Sequence, residues 1–195
     1  MKEITWKKLS LEVFAKYGAY TNMINPSAPK LGAEPIEFFR DMIQSQLGTT
    51  PVASFGVCRV VKRPFVMDVS EYHDTCCETV LPLDGDILMH VASAVPDKEF
   101  PFDQAEVFFV PEGTICVLRP GVWHHAPYAY TTAVVNCLVA LPERTYMNDC
   151  KVYQFPRGKH ITIVGEAIDG EENIHEKKEV ARRNRTGSHG NGFTK

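Results

Sequence analysis

The chain has 195 residues and a formal net charge of −3, with 44% hydrophobic and 23% charged residues. That balance excludes a globally disordered or fibrous chain, and the small negative charge gives no basic field for nucleic acid. The apolar runs fall far short of the ~20 residues of a spanning helix, and Met1–Lys8 lacks the apolar core of a signal peptide. The expectation is a cytoplasmic protein with neither a nucleic-acid nor a membrane partner.

In chain order, residues 9–18 read as a short capped helix. Ser10 is its N-cap, Leu11, Phe14 and Tyr17 share a face, and Gly18 ends it. After the Asn25–Pro29 loop, Phe38, Phe39, Met42 and Ile43 have helical spacing, which predicts a second helix over Glu37–Gln46. Short apolar runs separated by turn residues follow. The spacing predicts strands at Ala53–Val60, Phe65–Val69, Glu78–Leu81, Ile87–Ala92, Ala105–Val110, Thr114–Leu118, Ala133–Ala140 and Val152–Gln154. Many short strands, with 13 Pro and 13 Gly between elements, argue for an all-β barrel or sandwich. The organisation expected is one domain over residues 1–165. A charged tail, 166–195, would be part helical or mobile, with Arg182, Arg183 and Arg185 on a solvated face.

The six cysteines include no C-x-x-C pair, and Cys76 and Cys77 are adjacent, so on a strand they face opposite ways. Small buried hydrophobes in a reducing compartment are the expectation.

Titratable groups concentrate in two short stretches, Glu71-Tyr72-His73-Asp74-Thr75-Cys76-Cys77-Glu78 and Arg119-Pro120-Gly121-Val122-Trp123-His124-His125. Glu71 and His73, two apart on a strand, project from one face. His73 and Glu78 are five apart and converge only if Asp74–Cys77 form a turn or bulge. His124 and His125 cannot both point inward from an extended segment. Bland readings stand beside these: Glu71 as a strand-end carboxylate facing water, Trp123 as core packing, and Arg119 as a surface turn cation. His90 and His160 read as hydrogen-bonded structural residues, and His175 and His189 as solvated.

The paired stretches resemble the two motifs of the cupin superfamily. His73, Glu78 and Gly85 keep the spacing of the first, with Glu71 where its first His would stand; Gly121 and His124 keep that of the second. A finer resemblance, over about residues 9–155, is to the ureidoglycolate lyase (formerly hydrolase) family. It is carried by the 9–18 segment, by Glu71–Leu83 closing on Val80-Leu81-Pro82-Leu83, by Gly121-Val122-Trp123-His124-His125 and by Asn148-Asp149-Cys150. Glu78 replaces that family's Gln, Ala126 interrupts its His-His-Pro, and the charged tail is extra.

The resemblance implies a cupin-like double-stranded β-helix, a jelly-roll barrel with short N-terminal helices, assembled as a homodimer. It implies cleavage of ureidoglycolate, or a similar small hydroxy or oxo acid, to glyoxylate and urea. His73, Glu78 and His124 would exchange the protons. His125 would stand at the rim, Trp123 would wall the pocket, and Arg119 would hold the substrate carboxylate, with Lys62 and Arg63 as competitors. Glu71, His73, Glu78 and His124 also make a nitrogen–oxygen ligand set suited to Zn, Mn, Fe or Ni. A carboxylate at position 78 favours that metal. It leaves open a metal-dependent cupin enzyme of another class, an isomerase or oxygenase, and a non-catalytic binding module.

Overall fold

The computed structural model describes residues 2–48, 50–96 and 99–165. Apolar alternation and turn chemistry fold most of it into two facing sheets. The five-stranded sheet runs, edge to edge, Gly18–Asn22, Thr114–Leu118, Glu78–Pro82, Val134–Pro142 and Ala53–Val61, all antiparallel. The four-stranded sheet runs Tyr128–Ala129, Ile87–Val91, Glu106–Val110 and Lys7–Lys8, the last pairing parallel. Val60, Val80, Cys116, Val135 and Cys137 of the first meet Ile87, Met89, Phe108 and Val110 of the second, and Phe14 and Tyr17 close one side. This is a mainly β fold of the jelly-roll kind.

A second core lies on the other face of the four-stranded sheet. There Leu88, Val107 and Tyr128 pack with Trp123, Phe100 and Phe155, and with Met67, Ile161 and Ile163 of a three-stranded sheet. Ile87–Val91 is therefore buried on both faces along its length, which is why it reads as an unbroken apolar run rather than an alternating one.

The eight expected strands occur, with ends shifted by a residue or two and with Phe65–Val69 divided between Val66–Met67 and Val69–Tyr72. The N-terminal helix is shorter than expected, Leu11–Phe14, capped by Ser10 Oγ accepting from the Val13 amide at 3.2 Å. Phe14 and Tyr17 are buried, but Leu11 is exposed. Gly18 does not cap this helix; it opens a strand pressed against Val117, where a Cβ would lie 1.8 Å from the Val117 carbonyl oxygen.

The second predicted helix is not formed. Ile36–Phe39 is a strand, paired with Lys30–Ala33 across the Glu34-Pro35 turn. Pro35 closes a hairpin that sets Phe38 opposite Leu31, and residues 40–46 run on without helix. The tail expected over 166–195, with Arg182, Arg183, Arg185, His175 and His189, lies outside the described residues.

Candidate metal and acid–base centre

The strand Val69–Tyr72 carries Glu71 and pairs with Lys151–Gln154. It is also stitched to the second motif: the Glu71 amide donates to the His124 carbonyl at 2.6 Å and the His124 amide to the Glu71 carbonyl at 2.8 Å. Gly121, in the left-handed region at φ 79°, donates its amide to the His73 carbonyl at 2.7 Å. A side chain there would be strained and would press on Ala94 at 2.9 Å.

Between His73 and Glu78 the chain turns, as the five-residue spacing demands. Asp149 holds the turn. Its carboxylate accepts from the Asp74 amide at 2.8 Å, the Thr75 amide at 2.9 Å and the Thr75 hydroxyl at 2.6 Å. The strand restarts at Glu78, opposite Leu118, and its side chain turns inward at 7% exposure.

Three buried groups meet there. Glu78 Oε2 lies 3.0 Å from His73 Nε2 and 3.1 Å from His124 Nε2, and the two imidazole centroids are 5.2 Å apart. The other ring nitrogens fix the tautomers. His73 Nδ1 donates to the Asp149 carbonyl at 2.6 Å and His124 Nδ1 to the Val122 carbonyl at 2.8 Å. A carbonyl only accepts, so both Nδ1 atoms carry protons and each Nε2 has a lone pair unless it binds a further cation. Two lone pairs against a carboxylate repel; protons or a metal ion must occupy the junction. Burial opposes charge on both partners, but the ion pairing prevails. The Glu78 carboxyl is held down to about 2 by the His124 and His73 imidazoles, and His124 is raised above the usual histidine value by Glu78.

Glu71, His73 and His124 offer ligand atoms that all lie within 4.8 Å of one another, and Nδ1–H to carbonyl bonding is the support that ligating histidines ordinarily have. The donor set fits a divalent ion of the Mn, Fe, Ni or Zn type. Glu71 also accepts from the Cys150 thiol at 3.4 Å.

The cluster borders a cavity of about 50 Å3 walled by Met89, Leu118, His125 and Pro127. Cys58, Val139 and Tyr146 line both this cavity and an open groove of about 420 Å3, so the two adjoin at these side chains.

The family model for a domain of unknown function, DUF4867, matches residues 10–165. The chain belongs to the DUF4867 family. That match names no activity, and the resemblance to the ureidoglycolate lyase family stands on the sequence motifs alone. No curated protein matches this DUF4867 chain.

Among solved structures, a dTDP sugar isomerase from Desulfovibrio desulfuricans G20 is 13% identical with TM-score 0.44, over 73% of this chain and 87% of that one. Oxalate decarboxylase from Bacillus subtilis, described for its Mn(II) centres, is 15% identical with TM-score 0.37, over 52% of this chain and 23% of that one. Peruvianin-I, a cysteine peptidase from Thevetia peruviana latex, is 14% identical with TM-score 0.35, over 45% of this chain and 48% of that one. The DUF4867 chain thus spans less than half of the last two. At such identities and scores these likenesses say nothing about its activity.

The fold brings together Glu71, His73, Glu78 and His124. His125, half-buried, joins them at the cavity wall because the chain bends beyond His124 instead of staying extended. Burial, the dominant influence, holds its imidazole below the usual value.

Two other expected residues lie elsewhere. Arg119 is exposed and donates to the Ala15 carbonyl at 2.6 Å, closing the end of the N-terminal helix. Trp123 is 1% exposed in the second core, 4.4 Å from Tyr72 by ring centroids. It precedes an inward-facing His124 on an extended segment, so it faces the opposite way.

The competing cations are also engaged. Arg63 donates to the Ala126 and Pro127 carbonyls, both at 2.9 Å, and Lys62 to the Tyr130 carbonyl at 3.2 Å. His90 is the structural histidine expected, hydrogen-bonded to Ser70 Oγ at 3.2 Å.

Asp149 and Tyr146 were not assigned site roles from the sequence. Asn148-Asp149-Cys150 was a sequence signal without a role, and nothing in the pattern around Tyr146 distinguishes it. Its ring stands edge-on to His73 at 5.9 Å, and burial, then Glu78, pushes its phenol upward.

Proposed function

We propose that this protein is a divalent-metal-dependent enzyme acting on a small hydroxy or oxo acid by proton transfer next to the carbonyl carbon, an isomerase-type reaction. The observation that carries this reading is the convergence of His73 and His124 on Glu78, with both Nδ1 atoms committed to carbonyls. A bound ion would supply a Lewis acid for the substrate oxygen, held by His73, His124 and Glu71.

The chain's own groups do the rest. Glu78 fixes both imidazoles and supplies negative charge to the centre. His125, at the cavity wall with no hydrogen bond among the described residues, takes the carbon-bound proton and returns it. Such a step is typically worth about 10²–10⁴-fold in rate. Tyr146 and Val139 border the inner end of the groove.

Carbon–nitrogen cleavage of ureidoglycolate has the sequence resemblance behind it and no structural feature specific to it. One experiment separates the two. Full-length protein loaded with Mn2+ or Ni2+ is given 2-hydroxy and 2-oxo acids in D2O, and racemic ureidoglycolate in parallel. Deuterium incorporation next to the carbonyl, lost in His125→Ala, supports the isomerase-type reading. Glyoxylate release without exchange overturns it in favour of the lyase.

A homodimer belongs to the same proposal. Phe55, Val57 and Val61 are 70%, 62% and 62% exposed on one face of the edge strand Ala53–Val61. A long apolar edge of this kind is a pairing surface unless something covers it.

A further inference from the structure

The groove in front of the cavity is much larger than the centre needs. At about 420 Å3 it lies within the range of sites that hold whole small molecules. Val139, Leu141, Pro142 and Met147 make its body apolar. No carboxylate lines it, and its single cationic side chain is Arg144.

Arg144 is held unusually. Its backbone sits at φ 62°, ψ 19°, a left-handed conformation that costs a residue other than glycine roughly 1–2 kcal/mol. Its side chain is exposed, and among the described residues its guanidinium has neither a hydrogen bond nor an ion pair. Two carboxylates lie on its other side. Glu143 is exposed, and Asp149 already receives the Asp74 and Thr75 donors. The groove therefore runs from an uncommitted cation, along an apolar wall, to Cys58, Val139 and Tyr146, the side chains it shares with the cavity beside Glu78 and His124.

We infer that the substrate is an elongated dicarboxylate, with a 2-oxo or 2-hydroxy acid group at the His73–His124 end, a short aliphatic middle along Val139 and Leu141, and a second carboxylate on Arg144. This rests on the metal-dependent reading above and adds the substrate class to it. A guanidinium pairs with a carboxylate through two parallel hydrogen bonds, which Lys reproduces only as a point charge. Arg144 is then a specificity residue remote from the reacting atoms.

The test uses the full chain loaded with Ni2+ and isothermal titration with matched probes, 2-oxoglutarate and 2-oxoadipate against 2-oxopentanoate and 2-oxohexanoate. The dicarboxylates are expected to bind about tenfold or more tightly than their monocarboxylate counterparts. Arg144→Gln should remove that advantage while leaving monocarboxylate and Ni2+ affinities unchanged, and Arg144→Lys should keep part of it. Equal affinity within each pair, or an equal loss on both members in Arg144→Gln, overturns the proposal. So does Ni2+ binding with no affinity for any of the four acids, and in that case the metal centre stands. A chain that binds no Ni2+ overturns both.

Discussion

The backbone carbonyl of Asp149 accepts the Nδ1 proton of His73 at 2.6 Å, while the Asp149 carboxylate binds the turn that follows His73. One residue thereby sets both the tautomer of an imidazole and the path of the chain that returns Glu78 to it. Asp149→Ala keeps the carbonyl and removes the turn's anchor. The expected result is a loss of about 1–3 kcal/mol in denaturant unfolding, from amides left unpaired. Metal affinity should fall about 10–100-fold, as for other groups that support a ligating histidine. A stability loss with unchanged metal affinity would make Asp149 structural only.

Glu78 is nearly fully buried between two imidazoles. Replacing it with Ala leaves the histidines without their counter-charge, and a broken buried pair costs about 3–5 kcal/mol. Metal-free Glu78→Ala should therefore unfold at markedly lower urea concentration than the parent. His73→Ala with Glu78→Ala should lose less than the two single losses added together, because they share one interaction. Additive losses would show that the pair does not interact as its geometry indicates.

Away from the centre, Glu106 ties the N-terminal segment to the four-stranded sheet. Its carboxylate receives Lys7 at 2.6 Å, Lys16 at 2.9 Å and the Tyr17 hydroxyl at 2.6 Å. Burial alone would raise its pKa, but these donors hold it down at about 2, against 4.5 for a free carboxyl. The folded value is the lower one, so the stabilisation is present above pH 4.5 and is lost as pH falls toward 2. The lysines are half exposed, and screening limits the effect to about 1–2 kcal/mol. Glu106→Gln should lower stability at pH 7 by that amount and by almost nothing at pH 2, in paired urea titrations. An equal loss at both pH values would contradict the assignment.

The proposed dimer predicts a sedimentation mass of twice the 21.9 kDa chain. Phe55→Asp combined with Val61→Lys should shift the equilibrium to monomer without altering metal affinity. A monomeric parent protein at micromolar concentration would remove the dimer from the account.

The β-rich architecture was legible because strands such as Thr114–Leu118 and Ile87–Val91 are apolar runs bounded by turns. The strand Lys2–Thr5 was not. It is polar, and its partner Ile161–Val164 lies at the far end of the domain, so its stability comes from a non-local pairing rather than from local pattern. Ile36–Phe39 misled because Phe38, Phe39, Met42 and Ile43 imitate a helical stripe across a hairpin and the segment that follows it.

At the centre, His73, Glu78 and His124 were picked out by the resemblance of their spacing to the two cupin motifs, and the turn between the first two followed from strand alternation. Trp123 and Arg119 were assigned to the pocket by closeness in sequence, although alternation turns Trp123 away and the Ala15 carbonyl engages Arg119. Tyr146 and Arg144 reach the groove through chain folding that no local pattern encodes.

The central claim is a divalent metal held by His73, His124 and Glu71 against Glu78. Its most direct measurement is the metal content of full-length protein purified without chelators and titrated with Mn2+, Ni2+ and Zn2+, beside His124→Ala. The account predicts about one ion per chain for the parent and near none for the variant, with the variant still folded by circular dichroism. A parent protein that binds none of the three ions, or a His124→Ala protein that binds them equally well, would contradict it.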